Sequence, residues 1–219
     1  MLPLRDLNPT QTKPVMTVIL ILANVAAFLY EVSLGPSAGR ELVYAYGMIP
    51  ARVPLALGGH AITLGQAFLP FLTSVFLHGS VVHLLGNMWY LWVFGDNVED
   101  SLGHFGFLVF YLGCGLGAGL THTVAAWGSA VPAVGASGAI SGVMGAYVVL
   151  YPGARILTWI PPFFILPLPS LIVLALWFLQ QFLSGLSTLG LPNTSGVAFW
   201  AHVGGFLIGM LLVWGSRRR

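Results

Sequence analysis

The sequence predicts an all-α membrane protein built as a bundle of six transmembrane helices. Three observations carry that expectation. Hydrophobic residues make up 57% of the 219 and charged residues only 6%, with a mean hydropathy of +0.89. A soluble domain has about a quarter of its residues charged. Six apolar segments follow one another, at 15–34, 73–94, 105–126, 137–151, 164–183 and 197–214. Lys and Arg, finally, are sorted by loop. Arg5, Lys13, Arg155 and Arg217, Arg218 and Arg219 fall on the side that both termini share if there are six spans. Only Arg40 and Arg52 fall on the other. Positive charge collects on the cytoplasmic side, so both termini are expected there.

Taken in order, residues 1–14 are polar, M-L-P-L-R-D-L-N-P-T-Q-T-K-P, with no signal-peptide core. They are too short and too poor in arginine for a transit peptide, so they read as a cytoplasmic segment and the first span as its own insertion signal. The loop 35–72 is the only long one. It mixes aromatics, glycines and a few charges and is too apolar to be freely solvated, so it is expected in the membrane interface. The motif G-D-N-V-E-D, with Asp96, Glu99 and Asp100, is expected in a cytoplasmic loop between the second and third spans.

The fourth span is the exception. Five segments have roughly the 20 residues that cross about 30 Å of hydrocarbon. The fourth stops at Pro152-Gly153, leaving about 15 residues or about 22 Å. The chain then closes with the fifth and sixth spans and a basic cytoplasmic tail, 215–219. Residues 15–214 form one domain in this reading. The net charge of +2 comes from residues flanking spans and implies no nucleic-acid partner, and the lone Cys114 can form no internal disulfide.

The short span brings two chemical groups to one depth. If it reaches the cytoplasmic face, its outer end and Ser137 lie on the order of 10 Å below the outer surface. His202, about six residues into the inward-running sixth span, arrives at a similar level. The fourth span carries Gly138-x-x-x-Gly142 and Ser141-x-x-x-Gly145, the sixth Gly205-x-x-x-Gly209. Paired small-residue faces let two helix backbones approach closely, which would set the hydroxyl against the imidazole. Glycine-rich membrane helices more often only pack, but an ionisable group inside a span is rare and usually functional. A histidine so placed can take the serine proton and activate the nucleophile.

Acyl transfer also needs donors for the developing oxyanion. Ser137 opens a helix, where free N–H groups and the positive dipole end lie, and Gly135 can supply a positive φ in the preceding turn. In H-G-S-V-V-H-L-L-G-N, His83 and Asn87 are i, i+4 and share a helical face. They are candidate oxyanion donors, with interhelical hydrogen-bonding as the plain alternative. His78, about 140° away around the helix, reads as structural. His60, His104 and His122 read as interfacial, near span ends or in loops. No carboxylate lies at the right depth, so the pattern is a Ser–His dyad without a third member. H-E-x-x-H is absent, which excludes a zinc metalloprotease, and no two aspartates lie within spans, which excludes an aspartyl intramembrane protease. No metal or cofactor is expected. The N-T-S triplet at Asn193 matches a glycosylation acceptor.

These motifs together, P-L-R-D-L-N-P-T, Y-G-M-I-P, F-L-H-G-S-V-V-H-L-L-G-N, G-D-N-V-E-D, G-A-S-G and A-H-V-G-G, resemble those of the bacterial rhomboid intramembrane serine proteases over nearly the whole chain. The resemblance implies Ser137 as nucleophile, His202 as general base and acid, and an oxyanion hole of His83, Asn87 and the Ser137 N–H. It implies close helix contact at Gly135 and Gly205, and a structural role for Glu99. It also implies a multi-pass cell-membrane protein whose site opens to the extracytoplasmic side and whose substrates are single-span membrane proteins. Two positions depart from the family. Leu69-Pro70 stands where many members have Trp-Arg, and Ser141 stands where some have a tyrosine stacked on the histidine. His202 is therefore expected to be positioned otherwise, by closer packing or by an aromatic such as Trp200. A pseudoprotease that binds membrane clients without cutting them is the alternative. Such proteins typically lack the serine or the histidine, and both are present here. The loop 184–196, rich in Gly and Pro, is expected to act as a lid.

Overall fold

The computed structural model describes residues 1–59, 62–188 and 197–215. His60, Asn193, residues 189–196 of the expected lid and Arg217, Arg218 and Arg219 lie outside the described residues. The chain begins with strand β1 (Leu2–Asp6) and helix α1 (Val15–Ser33). The long loop follows as α2 (Gly35–Tyr46), α3 (Arg52–Leu57), α4 (Leu64–Phe68), α5 (Pro70–Thr73) and a 3₁₀ turn (Ser74–Phe76). Then come α6 (Val81–Leu102), α7 (His104–Ala125) and α8 (Ser137–Leu150). Strands β2 (Arg155–Ile160) and β3 (Phe164–Pro169) precede α9 (Ser170–Ser187) and α10 (Phe199–Trp214).

By length and composition α1, α7 and α9 qualify as membrane-crossing helices. The pair Leu64–Phe76 and Val81–Leu102, bent by 78°, qualifies as a fourth, while α8 and α10 are apolar but shorter. Leu22, Val82, Val124 and Leu211 are large, apolar and exposed, as side chains facing hydrocarbon should be. Helix α8 is the reverse. Every residue from Gly138 to Val149 is buried, with α6, α7 and α10 packed around it.

Small residues make that packing possible. A Cβ added at Gly205 would lie 2.0 Å from the Gly138 carbonyl oxygen, one at Gly209 2.0 Å from that of Gly142, and one at Gly145 2.1 Å from that of Phe206. Gly138 itself faces α7, where a Cβ would meet Ala118 at 2.6 Å. The glycines expected to bring the fourth and sixth spans together thus line a backbone-to-backbone seam between α8 and α10.

Three expectations need correction. The second span is not continuous over 73–94. It breaks at residues 77–80, restarts at Ser80, whose hydroxyl accepts from the His83 N–H (3.1 Å), and runs on to Leu102. Glu99 and Asp100 therefore sit on the last turns of α6, and Gly103 alone, at φ +71°, turns the chain into α7. The G-D-N-V-E-D motif is helix, not loop, because its charges have partners. Fully buried Glu99 accepts from the backbone N–H of Met16 (2.8 Å) and Thr17 (2.7 Å), the Thr17 hydroxyl (2.7 Å) and His104 Nδ1 (2.5 Å). Its carboxylate thereby satisfies orphan donors at the start of α1. His104, at the first turn of α7 and half exposed, lies at a helix end as expected.

The second correction is the fifth span. Residues 164–169 are strand rather than helix. Pro167 and Pro169 each remove a backbone donor, and a short apolar run cannot be assigned by periodicity alone. The third is the N-terminal segment, which is docked rather than separate. It pairs antiparallel with β2, itself antiparallel to β3, in the order β1-β2-β3. Pro3 O accepts from Trp89 Nε1 (2.7 Å), and Asp100 accepts from Gln11 N (3.0 Å) and Thr12 N (2.8 Å). Asp6 accepts from Asn97 Nδ2 (2.5 Å), and burial pushes its carboxyl above the usual carboxylate range.

Candidate active site

Ser137 is the first residue of α8 and His202 lies in the first turn of α10. The seam of glycines fixes their separation. Ser137 Oγ is 2.7 Å from His202 Nε2. Sixty-five residues apart in sequence, the two groups that the depth argument matched are hydrogen-bonded.

The turn before Ser137 is built for this placement. Gly135 has φ +125°, a conformation that side chains disfavour, and its N–H donates to Ser74 O (2.9 Å). A Cβ there would also strike the His83 ring at 2.8 Å and approach Asn87 Nδ2 at 3.5 Å. Two independent reasons thus require glycine, and the second shows that His83 and Asn87 stand directly against the turn. No side chain caps α8, and its first internal bond runs from Ile140 N to Ala136 O (2.9 Å). The N–H groups of residues 137–139 therefore have no protein partner among the described residues.

His83, Asn87, Ser137 and His202 line one cavity of about 510 Å³, together with Ser80, His122 and the loop 129–134. A smaller groove of about 250 Å³ between α6 and α9 also reaches Ser137 and His202. His78 precedes α6 rather than sitting on it. Completely buried, its Nε2 accepts from Asn87 Nδ2 (2.9 Å), and its ring meets that of His83 edge-on at 5.1 Å. It orients both candidate donors. His122 is not interfacial as expected but buried, because the last turn of α7 faces the cavity.

The support for His202 differs from expectation. Trp200 packs edge-on against Phe182 (6.0 Å) and over Gly185, away from the imidazole. Ser141 donates back to Ser137 O (2.6 Å). The partners of His202 come from α9 instead. Trp177 lies 6.1 Å from it, ring to ring, and Gln181 Oε1 accepts from Nδ1 at 2.8 Å. Sequence reasoning missed both. The signal was there in Gln181, a carboxamide inside an apolar segment, where polar groups generally have a partner.

Chemically, the arrangement offers a hydroxyl hydrogen-bonded to an imidazole nitrogen, helix N-terminal N–H groups beside it, and two candidate side-chain donors across the cavity. Known proteins are similar to this chain over much of its length. A family model described as the rhomboid domain matches residues 65–219. The chain is 33% identical over 150 residues to the Rhomboid-like protein 11, chloroplastic, of Arabidopsis thaliana, covering 68% of this chain and 52% of that one. It is 32% identical to the Rhomboid protein 1, mitochondrial, of Saccharomyces cerevisiae over 64% of this chain and 40% of that one. It is 34% identical to the Rhomboid protease GluP of Bacillus subtilis over 63% of this chain and 25% of that one. The matches span between about a quarter and about half the length of these relatives. With a family model that matches well over half of its residues, this membrane protein belongs to the rhomboid family.

Proposed function

We propose that the protein is an intramembrane serine endopeptidase that cuts membrane proteins in or near their transmembrane segments. The 2.7 Å contact between Ser137 Oγ and His202 Nε2 carries this reading. Ser137 attacks the scissile carbonyl while its proton passes to His202 Nε2. The tetrahedral oxyanion is held by the Ser137 N–H, His83 and Asn87. His202 then gives the proton to the departing amine. In the second half His202 takes a proton from water, the water oxygen attacks the acyl carbonyl, and the ester bond breaks as Ser137 Oγ leaves with that proton. A family relative whose name states protease activity supports the reading, as does the presence of both dyad members.

In the same proposal, six helices span the bilayer with both termini cytoplasmic, and the site opens to the opposite side. The pairing of β1 with β2 supports this, since it puts the N-terminal segment and the loop after α8 on one side, together with Arg5 and Arg155. Helices α2 to α5 lie in the outer interface. Substrates are single-span membrane proteins that present extended backbone, because helical carbonyls are already bonded. Helix-weakening residues near the outer end of the span ease that unwinding.

The test is covalent labelling by a serine-reactive fluorophosphonate in lipid nanodiscs, alongside cleavage of a reporter with one transmembrane helix carrying Gly-Ala near its outer end. Labelling at Ser137 with cleavage is the expected result. Labelling and cleavage both absent from folded protein would instead favour a client-binding pseudoprotease. The oxyanion assignment makes its own prediction. Asn87→Ala and His83→Ala should each lower kcat by about 10²-fold or more, with melting temperature little changed in His83→Ala and lowered in Asn87→Ala, which leaves buried His78 Nε2 without its donor. Normal turnover in both variants would reduce these residues to packing roles.

A further inference from the structure

We propose that Gln181 is a positioning residue that holds His202 in the one neutral tautomer able to act as base. The inference rests on the protease reading above and assigns the third partner that reading lacks. A neutral imidazole carries one N–H, and which nitrogen bears it is set by the hydrogen bond the other nitrogen makes. Gln181 Oε1 can only accept, so its 2.8 Å bond requires the proton on Nδ1. Nε2 is then bare, 2.7 Å from the Ser137 hydroxyl it must deprotonate.

The surroundings hold that bond in place. Gln181 is buried, and a buried carboxamide is costly unless bonded. Trp177, one turn before it on the same face of α9, packs a tilted ring against the imidazole. The helix thus contributes an acceptor and an apolar wall to one side of His202. Among the described residues no carboxylate bonds to it. A carboxylate at this depth would carry a charge that the bilayer penalises, whereas a carboxamide fixes the tautomer without one. When the serine proton arrives at Nε2 the imidazolium keeps its Nδ1–H bonded to Oε1. When the C–N bond breaks, that proton leaves on the amine and the original tautomer returns.

The test uses the full chain in nanodiscs with the same reporter and two variants. Gln181→Met keeps the length and removes a good acceptor. Gln181→Glu keeps the acceptor and adds charge. In Gln181→Met, kcat should fall about 10²-fold with KM nearly unchanged, the signature of an interaction that matters to the chemical step. Gln181→Glu should retain much of the activity, and the acid limb of its pH–rate profile should move to higher pH, because a carboxylate favours the imidazolium. A second readout needs no turnover: the ¹⁵N spectrum of His202 in the wild type should show Nδ1 protonated and Nε2 bare. Wild-type kcat in Gln181→Met, equal losses in both variants, or an Nε2–H tautomer in the wild type would each overturn the proposal. If Gln181→Met does not fold, Gln181→Glu and the wild-type spectrum decide it. Cleavage surviving in Ser137→Ala would mark failure of the protease reading itself, and the spectrum would still report the tautomer.

Discussion

Replacing Ser137 with alanine, or His202 with alanine, should each reduce cleavage of the reporter by about 10⁴-fold or more, and the double variant should be no worse than either. The reason is that the two act as one unit. Without His202 the hydroxyl keeps its proton and is a poor nucleophile, and without Ser137 the bare Nε2 has nothing to activate. Fold should survive in both. Both side chains reach the open cavity, and the glycine seam that positions them runs further along α8 and α10. Cleavage gone in both, with a melting temperature close to wild type in Ser137→Ala and a drop of about 1–3 kcal/mol in stability in His202→Ala, where buried Gln181 loses its partner, are therefore the expected results. If either single variant kept a tenth of the wild-type rate, or if the double variant lost activity as the product of two independent effects, the dyad would be wrong.

Much of this site is legible in the sequence because its signals are local. Gly205-x-x-x-Gly209 and Gly138-x-x-x-Gly142 announce a close helix pair, and Ser137 and His202 each fall in the first turn of one of its helices. The 65-residue separation does not hide their meeting, since each is located relative to a helix end. What stays hidden depends on registers that composition does not reveal. Taking the apolar run 164–183 as one helix puts its start six residues early, where β3 in fact completes a hairpin. From that start, the faces of Trp177 and Gln181 relative to His202 could not be deduced. The same holds for α6. Reading G-D-N-V-E-D as a loop misplaces Glu99, whose burial becomes intelligible only once the Met16 and Thr17 N–H groups at the start of α1 are seen to need acceptors.

The second large effect should come from a single methyl group placed well away from the chemistry. Gly209 lies two turns beyond His202, and a Cβ there would fall 2.0 Å from the Gly142 carbonyl oxygen, 2.5 Å from its carbon and 2.6 Å from its Cα. All three are backbone atoms, so no side-chain rotation relieves the clash and α10 must move off α8. Gly209→Ala should therefore destabilise the protein by about 1–3 kcal/mol. It should also lower kcat by about 10²-fold, because a shift of about 1 Å between nucleophile and base is enough. The matched control is Gly113→Ala on α7, where nothing lies within 4 Å of the added Cβ. There the same substitution should stabilise by up to about 1 kcal/mol, since alanine costs less conformational entropy than glycine in a helix, and cleavage should be unchanged. Thermal unfolding and reporter cleavage in the same nanodiscs measure both. If the two variants behaved alike, the glycine seam would not be what sets the distance between Ser137 and His202. Opposite signs in stability, with a loss of rate only in Gly209→Ala, would tie the 2.7 Å contact to the packing of α8 against α10.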